Sequence, residues 1–276
     1  MSTDTFQTDA PVERLPFRVE IASDDDLMDV ARLRAAAYGR HLPALATRLL
    51  QPEAADYEIG CEVFVAKSRL DGSVLGSFRT HANILKPLPL QASMDLPERF
   101  IGCRMIEATR LSVLGKADSS VVRNALFKAF YQYCLAQRAD WMLAAGRRPV
   151  DRLYDMLLFT DVEGSGKFYP MAHASGVAHR VMCLATGEAD GLWRAVQHPL
   201  YQFTVQTTHP DIDLSGARNL DEALQNFETL VRMDDPCRHQ GGLPVPTGVA
   251  GSVQQVGHAR VVRVDKERDA RISLSL

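Results

Sequence analysis

The amino-acid sequence predicts a mixed α/β (α+β) fold, with one central sheet flanked by helices. Three observations carry this prediction. Phe17–Ile21 alternates apolar and polar residues, the period of a half-buried strand. Glu62–Lys67 and Val74–Thr80 form two strand-like runs around Leu70-Asp71-Gly72-Ser73, a hairpin turn. Cys103–Ala129 passes from an apolar strand through a polar turn into a helical pattern, and a further strand follows at Trp141–Ala145. A strand–helix–strand crossover of this kind makes its two strands parallel.

Each remaining element follows from local pattern. Ser23 precedes Asp24, Asp25 and Asp26, so a helix opens here with an acidic first turn, and its apolar positions run to about Tyr38. Gly39 and Pro43 break it, and His41–Leu50 reads as a second short helix or loop ended by Pro52. Asp56 lies in a polar turn, and the prolines of Lys86–Pro97 mark a loop. Val121–Ala139 is periodic, with Leu126, Phe127, Phe130, Tyr131, Cys134 and Leu135 on its buried side. Pro149 is placed to open a helix over Val150–Phe159. Tyr169–Met171 and Ser175–Thr186 read as loop and strand, and Gly187–Val196 as a helix containing Trp193. Leu220–Met233 is an amphipathic helix, and the Pro- and Gly-rich Asp235–Gly251 is a linker. Residues 260–276 suit either a terminal strand pair or a disordered end.

The chain is 276 residues long with 46% hydrophobic residues, enough for a full core. A net charge of −3 gives no basic excess, which argues against a nucleic-acid partner. No apolar run approaches the roughly 20 residues of a membrane span. The polar, acidic N-terminus has no signal core, so the expected location is cytoplasmic. Five cysteines without CxxC spacing read as free thiols, and the histidines offer no metal spacing. The expected organisation is a disordered lead at 1–16, a main domain at 17–210, a helical extension at 211–235 and a flexible tail at 236–276.

Glu107 and Arg110 stand inside the apolar frame of Met105, Ile106, Leu111 and Val113. Charges there are costly unless they are paired or functional, so they mark either a chemical centre or a structural ion pair. Arg34 and Tyr38 are four apart and share a helix face. Arg79 ends the hairpin; it either meets a ligand or bridges to Asp56. Tyr154 fits either a reactive site or a helix core. Arg147, Arg148 and Arg152 are a local basic cluster, which a solvated face explains nearly as well.

The ordered set Arg34 and Tyr38, Asp56, Arg79, then Glu107-x-x-Arg110 resembles the acyl-homoserine-lactone synthase and N-acyl amino acid synthase branch of the GNAT acyltransferases. The resemblance covers Phe17–Thr186 and implies a GNAT-like sheet. The tryptophan that lactone synthases place soon after the first Arg–aromatic pair is missing from His41–Ala46, and the chain is longer than theirs. Both departures favour an N-acyl amino acid synthase. The usual GNAT pyrophosphate loop is absent from Val113–Val122, as a donor carried on an acyl carrier protein would allow, although acyl-CoA stays open.

What the resemblance implies is an N-acyltransferase that joins a long-chain acyl group from an acyl carrier protein thioester to the amino group of an amino acid. Glu107 would be the general base, Arg110 would hold Glu107 or the substrate carboxylate, and Tyr154 would protonate the thiolate. Arg34, Tyr38, Asp56 and Arg79 would bind the amino acid. The backbone from Leu111 to Val113 would serve the oxyanion. Ser119, Ser120 and Arg123 would take the pantetheine phosphate of acyl-phosphopantetheine. Arg147, Arg148 and Arg152 would dock the carrier protein. Phe100, Met105, Leu126, Phe127, Phe130 and Met156–Phe159 would line an acyl tunnel. No tightly bound cofactor or metal is expected, and the lipid product would bring peripheral membrane contact. Lactone synthesis, acetyl-CoA-dependent N-acetylation and non-catalytic binding of an acyl metabolite are the rival readings.

Overall fold

The computed structural model describes residues 10–39, 41–115, 119–164 and 166–233. Contacts divide the chain at Asp234; the second unit, 235–276, lies outside the described residues and takes the expected tail at 236–276 with it.

The strands are β1 (Phe17–Ile21), β2 (Cys61–Ser68), β3 (Val74–Ala82), β4 (Met105–Val113), β5 (Trp141–Gly146), β6 (Thr160–Asp161), β7 (Phe168–Met171) and β8 (Val177–Ala185). They form one sheet in the order β1-β2-β3-β4-β5-β8-β6, with β7 also on β8. Every pairing is antiparallel except β4 with β5, the crossover expected from the strand–helix–strand run. The helices are α1 (Leu27–Gly39), α2 (Pro43–Arg48), α3 (Ser119–Ala136), α4 (Asp151–Met156), α5 (Ala189–Ala195) and α6 (Leu220–Met233). The helix expected at Val150–Phe159 is thus short: Leu158 takes a left-handed φ of 65° and stops it.

The strand period sorts the core into two faces. Phe64, Phe78, Ile106, Ala144 and Met182 pack under α3 in the larger core. Phe64 stacks on Phe78 with centroids 4.3 Å apart, and Tyr133 of α3 meets Phe64 edge-on at 5.3 Å. Gly76 permits this approach, because a Cβ there would lie 2.8 Å from Val122 Cγ1. On the other face, Val63 and Val65 carry Leu27 and Val30 of α1. Beside them Leu88, Leu90, Phe100, Met105 and Leu143 form a second cluster. Phe100 and Met105 therefore do not line the cavity under α3, a correction to the expected tunnel; strand alternation points Met105 away from Ile106.

The lead is also more ordered than expected over the described residues, and it pairs with the segment around residues 208–212. Val12 bridges to Thr208 and Val19 to Ile212, and the Leu15 N–H donates to Asp211 Oδ2 at 2.8 Å. Leu15 and Leu220 are buried. The disordered lead expected to reach residue 16 is corrected for residues 10–16: buried backbone groups need partners, and the chain after residue 206 supplies them. The boundary expected at 210 also falls within one compact unit.

Candidate active site

β4 is the element that positions the site. It pairs with β5 only from Met105 to Ala108, although both strands continue. On its other side, the β3 register jumps from Ser77–Ser112 to Arg79–Thr109, so Arg110 and Leu111 together face Phe78. Arg110 adopts a left-handed φ of 57° to make this bulge. A bulge of this kind re-aims side chains. Ala108 and Leu111, three apart, come to one face, while Arg110 turns to the other. The result is a wedge-shaped gap in the sheet beyond Ala108.

A cleft of about 280 Å³ occupies this gap. From the α1 side it is lined by Tyr38 and His41, from β4 by Thr109 to Val113, and from the α4 side by Arg147, Val150 and Tyr154. A second cavity of about 350 Å³, almost wholly apolar, opens between α3 and α4. It takes Leu126, Phe127, Phe130, Met156 and Leu157 from the expected tunnel, and it shares Ala108, Leu111 and Tyr154 with the cleft. Tyr154 is held there by close packing of α4 on β5: a Cβ on Gly146 would lie 2.9 Å from the Asp151 backbone. Burial pushes the Tyr154 hydroxyl pKa well up, so it stays protonated.

On the α1 face lies a buried ionic network. Arg34 Nη1 donates to both oxygens of Asp56 at 2.9 Å. Arg79 Nη1 donates to Asp56 Oδ1 at 3.0 Å and Glu53 Oε2 at 3.1 Å. Arg110 donates through Nε and Nη2 to Glu53 at 2.7 and 2.6 Å, and through Nη2 to the His173 carbonyl at 3.1 Å. Arg110 therefore holds Glu53 and not Glu107, a correction that follows from the bulge. Glu53 was not singled out in the sequence; its signal was the spacing Glu53-x-x-Asp56 in one turn, where the Asp56 side chain accepts from the Glu53 N–H. Burial pushes the Glu53 carboxyl up, but the hydrogen bonds and charge of Arg110, backed by Arg79 and Arg34, hold it down to about 2. The bridge from Arg79 to Asp56 is present, as is a second partner for each; Arg34 Nε and Nη2 are buried without one.

Glu107 is fully buried on the same face. Its Oε2 accepts the Leu90 N–H at 3.0 Å, and Oε1 has no partner within the protein. Burial is the dominant influence and pushes its carboxyl up to about 8, against the Leu90 bond and the two nearby arginines. His81 stands directly opposite Glu107 on β3. Its Nε2 accepts from Arg79 Nε at 3.0 Å, which leaves its proton on Nδ1, 3.0 Å from Cys61 Sγ. Cys61, His81 and Glu58 offer ligand atoms within 4.8 Å of one another, but this tautomer makes them a hydrogen-bonded group and leaves Nδ1 no lone pair for a metal.

The remaining expected residues are more dispersed. Ser119 opens α3 and Ser120 is exposed beside it, while 116–118 lie outside the described residues. Arg123 borders the apolar cavity. Arg147 lines the cleft, Arg148 lies over the Phe168 ring at 5.0 Å, and Arg152 is exposed on α4.

The family model of the N-acyl amino acid synthase FeeM matches residues 29–182, more than half of the chain, and spans the cleft and the ionic network just described. The chain belongs to the FeeM family of N-acyl amino acid synthases. It is an N-acyltransferase, as that family implies. The fold agrees: the structure of FeeM from uncultured soil microbes superposes with a TM-score of 0.51 at 16% identity, over 68% of this chain and 96% of that one. A CoA-dependent acyl-homoserine lactone synthase, BjaI, superposes with a TM-score of 0.51 at 14% identity, over 77% and 99%. A comparison with curated proteins found no match. Among the described residues of this FeeM-family chain, no helix is long and apolar enough to cross a membrane.

Proposed function

We propose that the chain transfers a long-chain acyl group from an acyl carrier protein thioester to the amino group of an amino acid. The observation that carries this reading is the gap between β4 and β5, where a polar cleft lined by Tyr38 and Arg110 adjoins an apolar cavity across the shared residues Ala108, Leu111 and Tyr154. An amide-forming acyl transfer needs such a junction, since amine and acyl chain differ in polarity and must meet at the carbonyl carbon.

In this reading the acyl chain lies in the cavity between α3 and α4, and the thioester sits beside Tyr154 at the junction. Glu107 removes a proton from the substrate ammonium, directly or through a water on its unpartnered Oε1; a carboxyl held near 8 is matched to that task. The amine attacks the carbonyl carbon. The oxyanion is met by backbone N–H groups of Leu111–Val113, on an edge of β4 that has no ladder to β5. The C–S bond breaks, Tyr154 gives its proton to the thiolate, and the second nitrogen proton, lost as the amide forms, restores the Tyr154 hydroxyl.

The acceptor's carboxylate has a counter-charge waiting. Among the described residues, the carboxylates paired with Arg34, Arg79 and Arg110 are Glu53 and Asp56, while Glu107 is mostly neutral at pH 7. One positive charge is left over, and Arg34 carries two buried nitrogens free of protein partners. Tyr38 lines the cleft beside them. A carboxylate there completes the network. Ser119, Ser120 and Arg123 meet the pantetheine phosphate, and Arg147, Arg148 and Arg152 attract an acidic carrier protein.

The test is release of free thiol from acyl carrier protein or CoA thioesters, mixed with purified protein and single amino acids, with products weighed by mass spectrometry. N-acyl amino acids formed from the carrier thioester support the reading. Turnover with acetyl-CoA alone, or lactone formation, overturns it.

A further inference from the structure

The apolar cavity is bordered by a strap that the proposed chemistry leaves unused. It begins where α5 ends. Gln197 takes a left-handed φ of 51°, and the His198 N–H donates to the Trp193 carbonyl at 2.8 Å, a Schellman-type stop. The chain then passes His198, Pro199 and Leu200 along the cavity and winds into a π-helical turn at Gln202–Gln206.

Two side chains clip this strap across the space between α3 and α4. His198 Nδ1 accepts the Leu200 N–H at 3.1 Å, so its proton sits on Nε2, which faces the Met156 carbonyl at 2.6 Å. From α3, the buried Lys128 donates to the Phe203 carbonyl at 2.8 Å, to the Thr207 carbonyl and to His209 Nδ1 at 2.8 Å. All three ammonium protons are used.

We propose that this strap sets the length of the acyl chain, with Leu200 and His198 forming the wall that the chain's end meets. The proposal rests on the reading of the cavity as the acyl site. The residues shared with the cleft mark the thioester end, and Ala108 and Leu111 among them come from the sheet. The strap bridges α3 and α4, the two helices that flank the cavity, so a chain that enters at the sheet ends against it. The α3 wall cannot adapt. Phe127 is locked edge-on against Phe159 and Trp193, and Phe130 against Phe78. Leu200, half-buried and hung between hydrogen-bonded clips, is the lining position whose size alters the depth without disturbing that packing.

The experiment measures affinity of the full chain for a graded series of saturated fatty acids, by displacement of a fluorescent fatty-acid probe. Affinity rises about fourfold per buried methylene until the chain meets the strap, and then levels. Leu200→Ala moves this break to chains about two carbons longer, as the removed side-chain volume allows. Leu200→Trp moves it to shorter chains, and His198→Ala blurs it by releasing the clip. A break that stays in place in folded Leu200→Ala overturns the proposal. The N-acyl products are weighed in parallel. A break that moves while no N-acyl product forms keeps the strap and ends the functional reading. Products of unchanged length from Leu200→Ala overturn the strap and keep the function.

Discussion

Arg110 and Glu53, 57 residues apart in the chain, are joined by two hydrogen bonds of 2.7 and 2.6 Å. This pair takes Arg110 away from Glu107, three positions earlier in the same strand. It leaves Glu107 with an unpartnered oxygen and thereby divides the site into an ionic clamp and a separate buried carboxyl.

The pair sets an acid limit on stability. The Glu53 carboxyl lies at about 2 in the folded chain against 4.5 in the open one. A carboxyl lowered by folding stabilises above its unfolded pKa and loses that contribution as pH falls from about 4.5 toward 2. Linkage sets an upper bound of about 3 kcal/mol, which solvent screening of the part-exposed Glu53 reduces. Urea unfolding across this range should show the loss in the native chain, and Glu53→Gln should flatten it.

Glu107 gives the opposite dependence. Its carboxyl is raised from 4.5 to about 8, so the folded state holds a proton that the unfolded state has lost. Stability should fall as pH rises through this window, and Glu107→Gln should abolish the slope. Turnover should climb with pH to about 8 and then level, as the base becomes ionised. The same variant should lose about a hundredfold or more in kcat with its near-UV spectrum intact.

Tyr154 is tested through its hydroxyl and through its support. Tyr154→Phe should lower kcat about tenfold or more while the amino acid KM holds. Gly146→Ala should lower both kcat and stability, because a Cβ there meets the backbone of α4 at 2.9 Å. Equal kinetics for the Phe variant and the native enzyme would make Tyr154 a core residue only.

The basic cluster predicts a salt-dependent donor. Arg148 and Arg152, which stand outside the cleft lining, changed together to Glu should raise the KM for acyl carrier protein at low salt by about tenfold or more and should leave a free acyl-pantetheine substrate unaffected. An equal loss with both donors would show that the cluster acts inside the cleft.

The sheet was legible because its signals are local. Alternation gave β1, the turn at Leu70–Ser73 gave the hairpin, and the helical period gave α3 and α6. The ordered polar positions Arg34, Asp56, Arg79, Glu107 and Arg110 do converge on one face of the sheet. Their partners were not legible, because a β-bulge is invisible to a period-2 reading. Arg110 at φ 57° reverses the expected direction of its side chain and selects Glu53. Strand alternation also turns Met105 away from the cavity that Leu126 and Phe127 line, and Phe100, in the turn before β4, packs with Met105 on that other face, which a list of apolar residues cannot show. The strap at His198–Leu200 carried no motif, since its place depends on hydrogen bonds to carbonyls of distant segments.

The central claim is that Glu107 acts as the base in N-acylation of an amino acid. Mass spectrometry of lipid extracts from cells expressing the native chain, against cells expressing Glu107→Gln, tests it most directly. The account predicts new N-acyl amino acids in the first extract and none in the second, with both proteins folded. Equal amounts of the same products from both would remove Glu107 from the chemistry, and no new product from either would contradict the proposed reaction itself.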